Sequence, residues 1–287
     1  MNMDGGAEQG SNFYLGFLFL PRPKREALSA VYSFCRRVDD VADSGAYGKE
    51  EAAKQLDFWR EEVERLYSGS PTHAVSRRLL PFVESYRLPK EGFSELVRGV
   101  GMDLERTRYE TFEELEPYLF GVAGAVGLLC VEIFGHRSTP AADVRAYALS
   151  MGNAFQLTNI LRDVGADLER GRIYLPAKDM AEAGYSPAEF MRREYSPAFE
   201  RLMRREYERA KVFYRRARNL LHPEDRPAMT GAEVMAQIYE ELLERIRAEG
   251  FRVFFRRVRV PAWRKAVLAL RGWAASRGLW AAIDERG

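Results

Sequence analysis

The sequence predicts an all-α protein built as one domain. Apolar residues recur at three- and four-residue steps in segment after segment. Helix-start signals recur between clusters of Gly, Pro and Ser. Alternating strand patterns are scarce.

Residues 1–10 are polar and glycine-containing and read as a flexible start, leaving 11–287 for the domain. Between Lys24 and Ala42, Ala27, Ala30, Val31, Phe34, Val38 and Val41 form one apolar face, so this segment is an amphipathic helix. Glu51 to Tyr67 and Phe93 to Met102 read in the same way. Thr111 with Glu114, Ser186 with Glu189 and Thr230 with Glu233 have capping-box spacing. Thr139-Pro140 is a further helix start. Breaks fall at Ser68 to Pro71, Ser138 to Pro140 and His222 to Pro227. Phe251 to Val260 is the one strand candidate, and it is heavily basic. No repeat is evident.

Composition narrows the function. Of 287 residues, 46% are hydrophobic and 12% aromatic, ample for a large core. The net charge of +2 gives no global field for binding nucleic acid. Two cysteines, Cys35 and Cys130, make no disulfide framework, and His73, His136 and His222 lie too far apart for zinc-ligand spacing. A reducing cytoplasm is the expected compartment. The N-terminus lacks the pattern of a signal peptide, and no uninterrupted apolar stretch approaches the roughly 18–20 residues of a membrane span.

Two acidic stripes carry the chemistry. On a helix, Tyr32, Arg36, Asp39 and Asp43 fall within roughly 60° of one another, with Asp40 beside them. Gln156, Asn159, Asp163 and Asp167 gather in an arc of roughly 80°, bordered by Leu157, Ile160, Leu161 and Val164. Both groups precede helix stops, at Ser44-Gly45 and Arg170-Gly171. A helix C-terminus disfavours anions by about 0.3–1 kcal/mol each, so something positive must offset them. Arg36 and Arg162 do part of this. All-oxygen clusters also suit Mg2+, which completes its octahedron with water and substrate phosphate. One such stripe alone reads more readily as an ordinary charged surface. Two of them, facing across a bundle, would hold a metal–diphosphate cluster from both sides.

At these residues the chain resembles the squalene/phytoene synthase family of head-to-head prenyl transferases. Tyr32-Ser-Phe-Cys-Arg-Arg-Val-Asp-Asp-Val-Ala-Asp43 is similar to its first aspartate-rich motif. Gln156-Leu-Thr-Asn-Ile-Leu-Arg-Asp-Val-Gly-Ala-Asp167, followed by Arg170-Gly-Arg-Ile-Tyr-Leu-Pro176, is similar to its second. Supporting matches are Phe13 to Phe17 with Leu20-Pro21, Gly101 to Tyr109, Gly121 to Gly127, and Ile238-Tyr239 with Leu242-Leu243. The resemblance extends from about residue 11 to residue 265.

The resemblance implies an isoprenoid synthase helical bundle with a central active-site cavity and prenyl diphosphate substrates. It implies that Asp39 and Asp43 hold Mg2+ from one side and Asn159, Asp163 and Asp167 from the other. It gives diphosphate binding to Arg36 and Arg162, with Arg172 a lesser candidate. Tyr32, Gln156, Tyr174 and Tyr239 would line the reaction zone, Tyr32 and Tyr239 with catalytic roles. Phe120 stands where many relatives carry Tyr, with Tyr118 two residues earlier, so a phenol is expected to be missing there.

The activity implied is condensation of two farnesyl diphosphates to presqualene diphosphate, as in the bacterial enzymes of hopanoid pathways. Continuation to squalene would require NADPH. The alternatives are joining of two geranylgeranyl diphosphates to phytoene, and a catalytically silent helical assembly factor. A head-to-tail prenyl transferase or a terpene cyclase fits the second motif poorly.

Two features keep two readings each. Gly121, Gly124 and Gly127 share a helical face that either leaves room for a prenyl chain or serves close helix packing. The stretch with Arg252, Arg256, Arg257, Arg259, Arg264 and Lys265 among Phe251, Phe254, Phe255 and Trp263 either rests on anionic lipid or is a buried helix end with outward arginines. Oligomeric state is left open.

Overall fold

A computed structural model describes residues 12–277. The expected flexible start at residues 1–10 lies outside the described residues. The helices are α1 (Asn12–Phe17), α2 (Arg22–Asp43), α3 (Lys49–Tyr67), α4 (Ala74–Tyr86), α5 (Lys90–Glu105), α6 (Phe112–Leu119), α7 (Ala125–Phe134), α8 (Ala141–Glu169), α9 (Ala177–Glu182), α10 (Pro187–Met191), α11 (Pro197–Leu220), α12 (Thr230–Ala248) and α13 (Ala262–Ser276). A single π turn, Phe120–Gly124, joins α6 to α7.

α2 buries Ala27, Ala30, Val31, Phe34, Val38 and Val41, the face read from the sequence. It stops where Gly45 turns left-handed at φ +66°. α8 buries residues on several faces, among them Tyr147, Met151, Leu157, Leu161 and Val164, as a central helix must. It packs against α7, α11, α12 and the π turn. α2 lies across α4, α5 and α7, so α2 and α8 form two walls of the bundle interior.

Close backbone contacts set the spacing of these walls. A Cβ on Gly99 would stand 2.7 Å from the Cα of Gly121, so α5 and the π turn touch backbone to backbone. A Cβ on Gly127 would stand 2.7 Å from the Ala148 carbonyl oxygen of α8. Close packing is therefore what Gly121 and Gly127 serve, although Gly127 also borders the interior cavity.

Local signals fared unevenly. Ser186 and Glu189 form the full reciprocal capping box. Thr111 caps α6 through its side chain, but the Glu114 carboxylate accepts from the Glu110 N–H, one residue before the cap. Thr230 is no cap: Met229 occupies that position, and the Thr230 hydroxyl bonds the Pro227 carbonyl at 2.7 Å. Glu233 instead faces the Tyr147 hydroxyl of α8. His73 caps α4 through Nδ1, and His222 caps the short 3-10 turn Pro223–Asp225 in the same way.

The strand expected at Phe251–Val260 does not form. The segment is an irregular extended loop whose Phe251, Val253, Phe254, Val258 and Val260 are buried. Among the described residues the sole β contact is an isolated bridge between Arg108 and Ile173. Within the continuous run Phe112–Phe134 an 18-residue window reaches a mean hydropathy of 1.8, so the run is long and apolar enough to cross a membrane by length and composition. Its apolarity has a local cause, because α5, α8 and α2 pack around it.

Candidate active site

The last turns of α2 and α8 bring their carboxylates to one polar cavity. Arg36, Asp39 and Asp43 line it from α2, and Gln156, Asn159, Arg162, Asp163 and Asp167 from α8. A second, apolar cavity runs deeper, past Tyr32, Phe134, Met151, Phe155, Met235 and Tyr239. Asp39, Val122, Gln156 and Asn159 border both. The two stripes thus face each other, and their junction opens onto an apolar interior. Cys35 and Cys130 line the apolar part as free thiols, which burial pushes up, Cys130 to about 12.

Cations come from beyond the two stripes. The extended segment 170–176 begins after α8 stops, with Gly171 at φ +77°. Its alternation turns Arg172 and Tyr174 into the polar cavity. Arg172 donates to Asp43 at 2.6 Å and to the Ala42 carbonyl at 3.0 Å, and lies 3.7 Å from Asp103 of α5. This offsets the anionic end of α2 more directly than Arg36, which stands at the rim on Asp40 at 3.0 Å. Arg162 bonds Asp163 at 2.8 Å, and Arg257 of the 249–261 loop bonds the same carboxylate at 2.9 and 3.1 Å.

A phenol pair completes the wall. The Tyr174 hydroxyl donates to Asp103 at 2.7 Å, and the Tyr118 hydroxyl lies 3.0 Å from it and 3.2 Å from Asp103. Phe120 leaves its own position without a phenol, but Tyr118, from the preceding helix, brings one to the polar cavity.

The carboxylates titrate apart. Burial, then the charge of Asp43, pushes Asp39 up to about 7. Burial, then Asp163, pushes Asp167 up to about 7. Burial raises Asp103 to about 6 against Arg172 and Tyr174. Burial also works to raise Asp163, but Arg162 and Arg257 outweigh it and hold this group below its usual range.

The donor set suits a hard cation. The buried Asn159 Oδ1 has no hydrogen-bond partner, an arrangement that costs about 1–3 kcal/mol. Asp39 and Asp167 are oxygen donors facing the same cavity, each beside a second carboxylate on its own helix. Among the described residues, no three His, Cys, Asp or Glu side chains gather tightly enough to enclose an ion. Mg2+ fits such an open arrangement because it takes one or two carboxylates and fills its remaining positions with water and phosphate oxygens.

Every site residue expected from the sequence borders one of these cavities. Three residues without an expected role stand there too. Asp103 lies in the matched stretch Gly101 to Tyr109, and Tyr118 stands just ahead of the matched stretch Gly121 to Gly127. Arg257 was hidden in a run of arginines that pointed outward as readily as inward.

Comparison with known proteins agrees with this architecture. The family model for squalene/phytoene synthase matches residues 7–264. The phytoene synthase of Arthrospira platensis is 36% identical over 273 residues, covering 90% of this chain and 87% of that protein. The 15-cis-phytoene synthase of Synechococcus elongatus is 35% identical over 268 residues, with coverage of 90% and 87%. A ligand-bound dehydrosqualene synthase crystal structure superposes with a TM-score of 0.80 at 29% identity, covering 93% of this chain and 92% of that one. Squalene synthase HpnC from Alicyclobacillus acidocaldarius superposes with a TM-score of 0.75 at 30% identity, covering 84% and 89%. With this match over nearly its whole length and a helical bundle around two facing acidic stripes, the chain belongs to the squalene/phytoene synthase family and is a prenyltransferase.

Proposed function

We propose that this prenyltransferase joins two farnesyl diphosphates head to head, giving presqualene diphosphate with loss of one diphosphate. The observation that carries the reading is the junction at Asp39, Val122, Gln156 and Asn159, where the polar cavity meets the apolar one. A prenyl diphosphate has the same two-part character. Its reactive carbon lies at the boundary between anionic head and apolar tail.

Reaction begins as the allylic C–O bond breaks and its electron pair leaves with diphosphate. Arg36, Arg162, Arg172 and Arg257 surround the place where that negative charge grows and stabilise it there. The allylic carbocation left behind is attacked by the double bond of the second donor, and loss of a proton closes the cyclopropane. Tyr32, Phe155 and Tyr239 wall the adjoining apolar space and keep water from the cation. Mg2+ held by Asp39 and Asp43 on one side and Asn159, Asp163 and Asp167 on the other would add Lewis-acid stabilisation of the leaving group.

The fold likeness to dehydrosqualene and squalene synthases supports the farnesyl donor. The phytoene synthase relatives favour a second reading, condensation of two geranylgeranyl diphosphates. Purified protein with Mg2+ and either donor, with and without NADPH, separates them. Presqualene diphosphate from the farnesyl donor is the expected product. Squalene appearing only with NADPH extends the reaction, and phytoene from the longer donor replaces it. No turnover of either donor by folded protein would overturn the reading in favour of a silent assembly factor.

A further inference from the structure

We infer that the outward face of the loop 249–261 and the start of α13 is a docking surface for an anionic lipid bilayer. The apolar residues of this stretch are sharply divided. Five of them are core, but Phe255 and Trp263 are 70% and 67% exposed. Exposed rings of this size interleaved with arginine are the composition of an interfacial membrane contact, in which rings enter the headgroup layer and guanidiniums meet lipid phosphates.

The charges are divided in the same manner. Arg257 turns inward to Asp163, Arg264 pairs with Glu241, and Arg256 pairs with Glu249. Arg252 and Arg259 are exposed and pair with no carboxylate among the described residues. Arg252 lies over the Tyr195 ring, and Arg193 lies over the Phe255 ring at 5.5 Å. Exposed aromatic surface thus sits with positive charge in excess, which complements an anionic bilayer.

The surface is also anchored to the site. A Cβ on Gly165, between Asp163 and Asp167, would stand 2.0 Å from the Phe254 carbonyl oxygen, so the loop backbone lies directly on α8. Phe255 follows that contact by one residue and Arg257 by three. A bilayer meeting Phe255 would therefore lie beside the polar cavity. The inference itself rests on exposure and charge, not on which prenyl donor is used.

Co-sedimentation of the full chain with phosphatidylcholine vesicles, with and without phosphatidylglycerol, tests it. The protein is expected to pellet with the anionic vesicles and to bind neutral ones at least about tenfold more weakly. The double variants R252E/R259E and F255S/W263S should each lose about tenfold or more of the anionic binding, while keeping wild-type turnover and melting temperature in solution. Two independent double variants keep the test decisive should one fail to fold. Wild-type protein left in the supernatant with anionic vesicles would overturn the inference, as would folded variants that pellet like the wild type. A change in sedimenting mass of F255S/W263S without vesicles would overturn it too, because the face would then join copies of the chain.

Discussion

Arg257 and Asp163 meet across 94 residues of chain, Nε and Nη2 of the guanidinium standing 2.9 and 3.1 Å from the two carboxylate oxygens. This forked pair ties the 249–261 loop to the acidic end of α8, on the carboxylate that also binds Arg162. Arg257→Gln removes one of the cavity's cations while leaving Arg162 in place. Its KM for the prenyl diphosphate should rise about tenfold or more, with Arg257→Lys recovering part of the loss. Steady-state kinetics on both variants checks this.

Asp39→Asn and Asp167→Asn should behave alike despite lying on different helices. Each removes an oxygen donor facing the polar cavity, and each should lower turnover about 10²–10³-fold. Melting temperature should hold, because burial and a neighbouring carboxylate already press both groups toward neutrality. Product assays and thermal melts on the same preparations separate lost chemistry from lost folding.

Gly165→Ala tests the seat of the loop. The new methyl group would collide with the Phe254 carbonyl rather than with a side chain that can swing away. Such overpacking costs about 1–3 kcal/mol, and the displaced loop would carry Arg257 off Asp163. A lower urea midpoint together with a raised KM is the expected outcome.

Acid should weaken the fold through Asp225. This buried carboxylate accepts from the N–H groups of Arg137, Ser138 and Thr139 at 2.8, 3.1 and 2.6 Å. Burial works against the charged form, but those donors prevail and hold the group at about 2. An unfolded Asp titrates near 3.9, so the unfolded chain binds the proton first as pH falls. The contribution, about 2 kcal/mol, is complete above that value and vanishes as pH drops through about 2. Urea unfolding at pH 6 and pH 3 should show wild-type protein losing stability that Asp225→Asn never had.

Helical character and the two stripes were legible because both are local: a 3.6-residue period and a stop signal suffice to place Asp39, Asp43, Asp163 and Asp167 on faces near helix ends. The partners of those carboxylates were not legible. Arg172 with Asp43 and Arg257 with Asp163 are each joined across long stretches of chain. The loop at 251–260 misled for a related reason. Its alternating apolar residues are buried against helices such as α8, and no strand forms among the described residues to pair with them. Thr230 failed as a cap because the helix already includes it: Met229 holds the cap position, and the Thr230 hydroxyl bonds the Pro227 carbonyl.

The π turn at Phe120–Gly124 makes the run from Phe112 to Phe134 two rotors out of phase. It takes one residue more per turn than the α-helix, a rotation of about 100°. Leu115, Tyr118 and Leu119 set the inward side before it, and Leu128, Leu129 and Ile133 set it afterward. Deleting a single residue there would bring the halves into step as one plain α-helix and swing one of those faces toward solvent. The sequence can drift in letters between Leu119 and Ala125 wherever the glycine contacts permit, but it cannot drift in count.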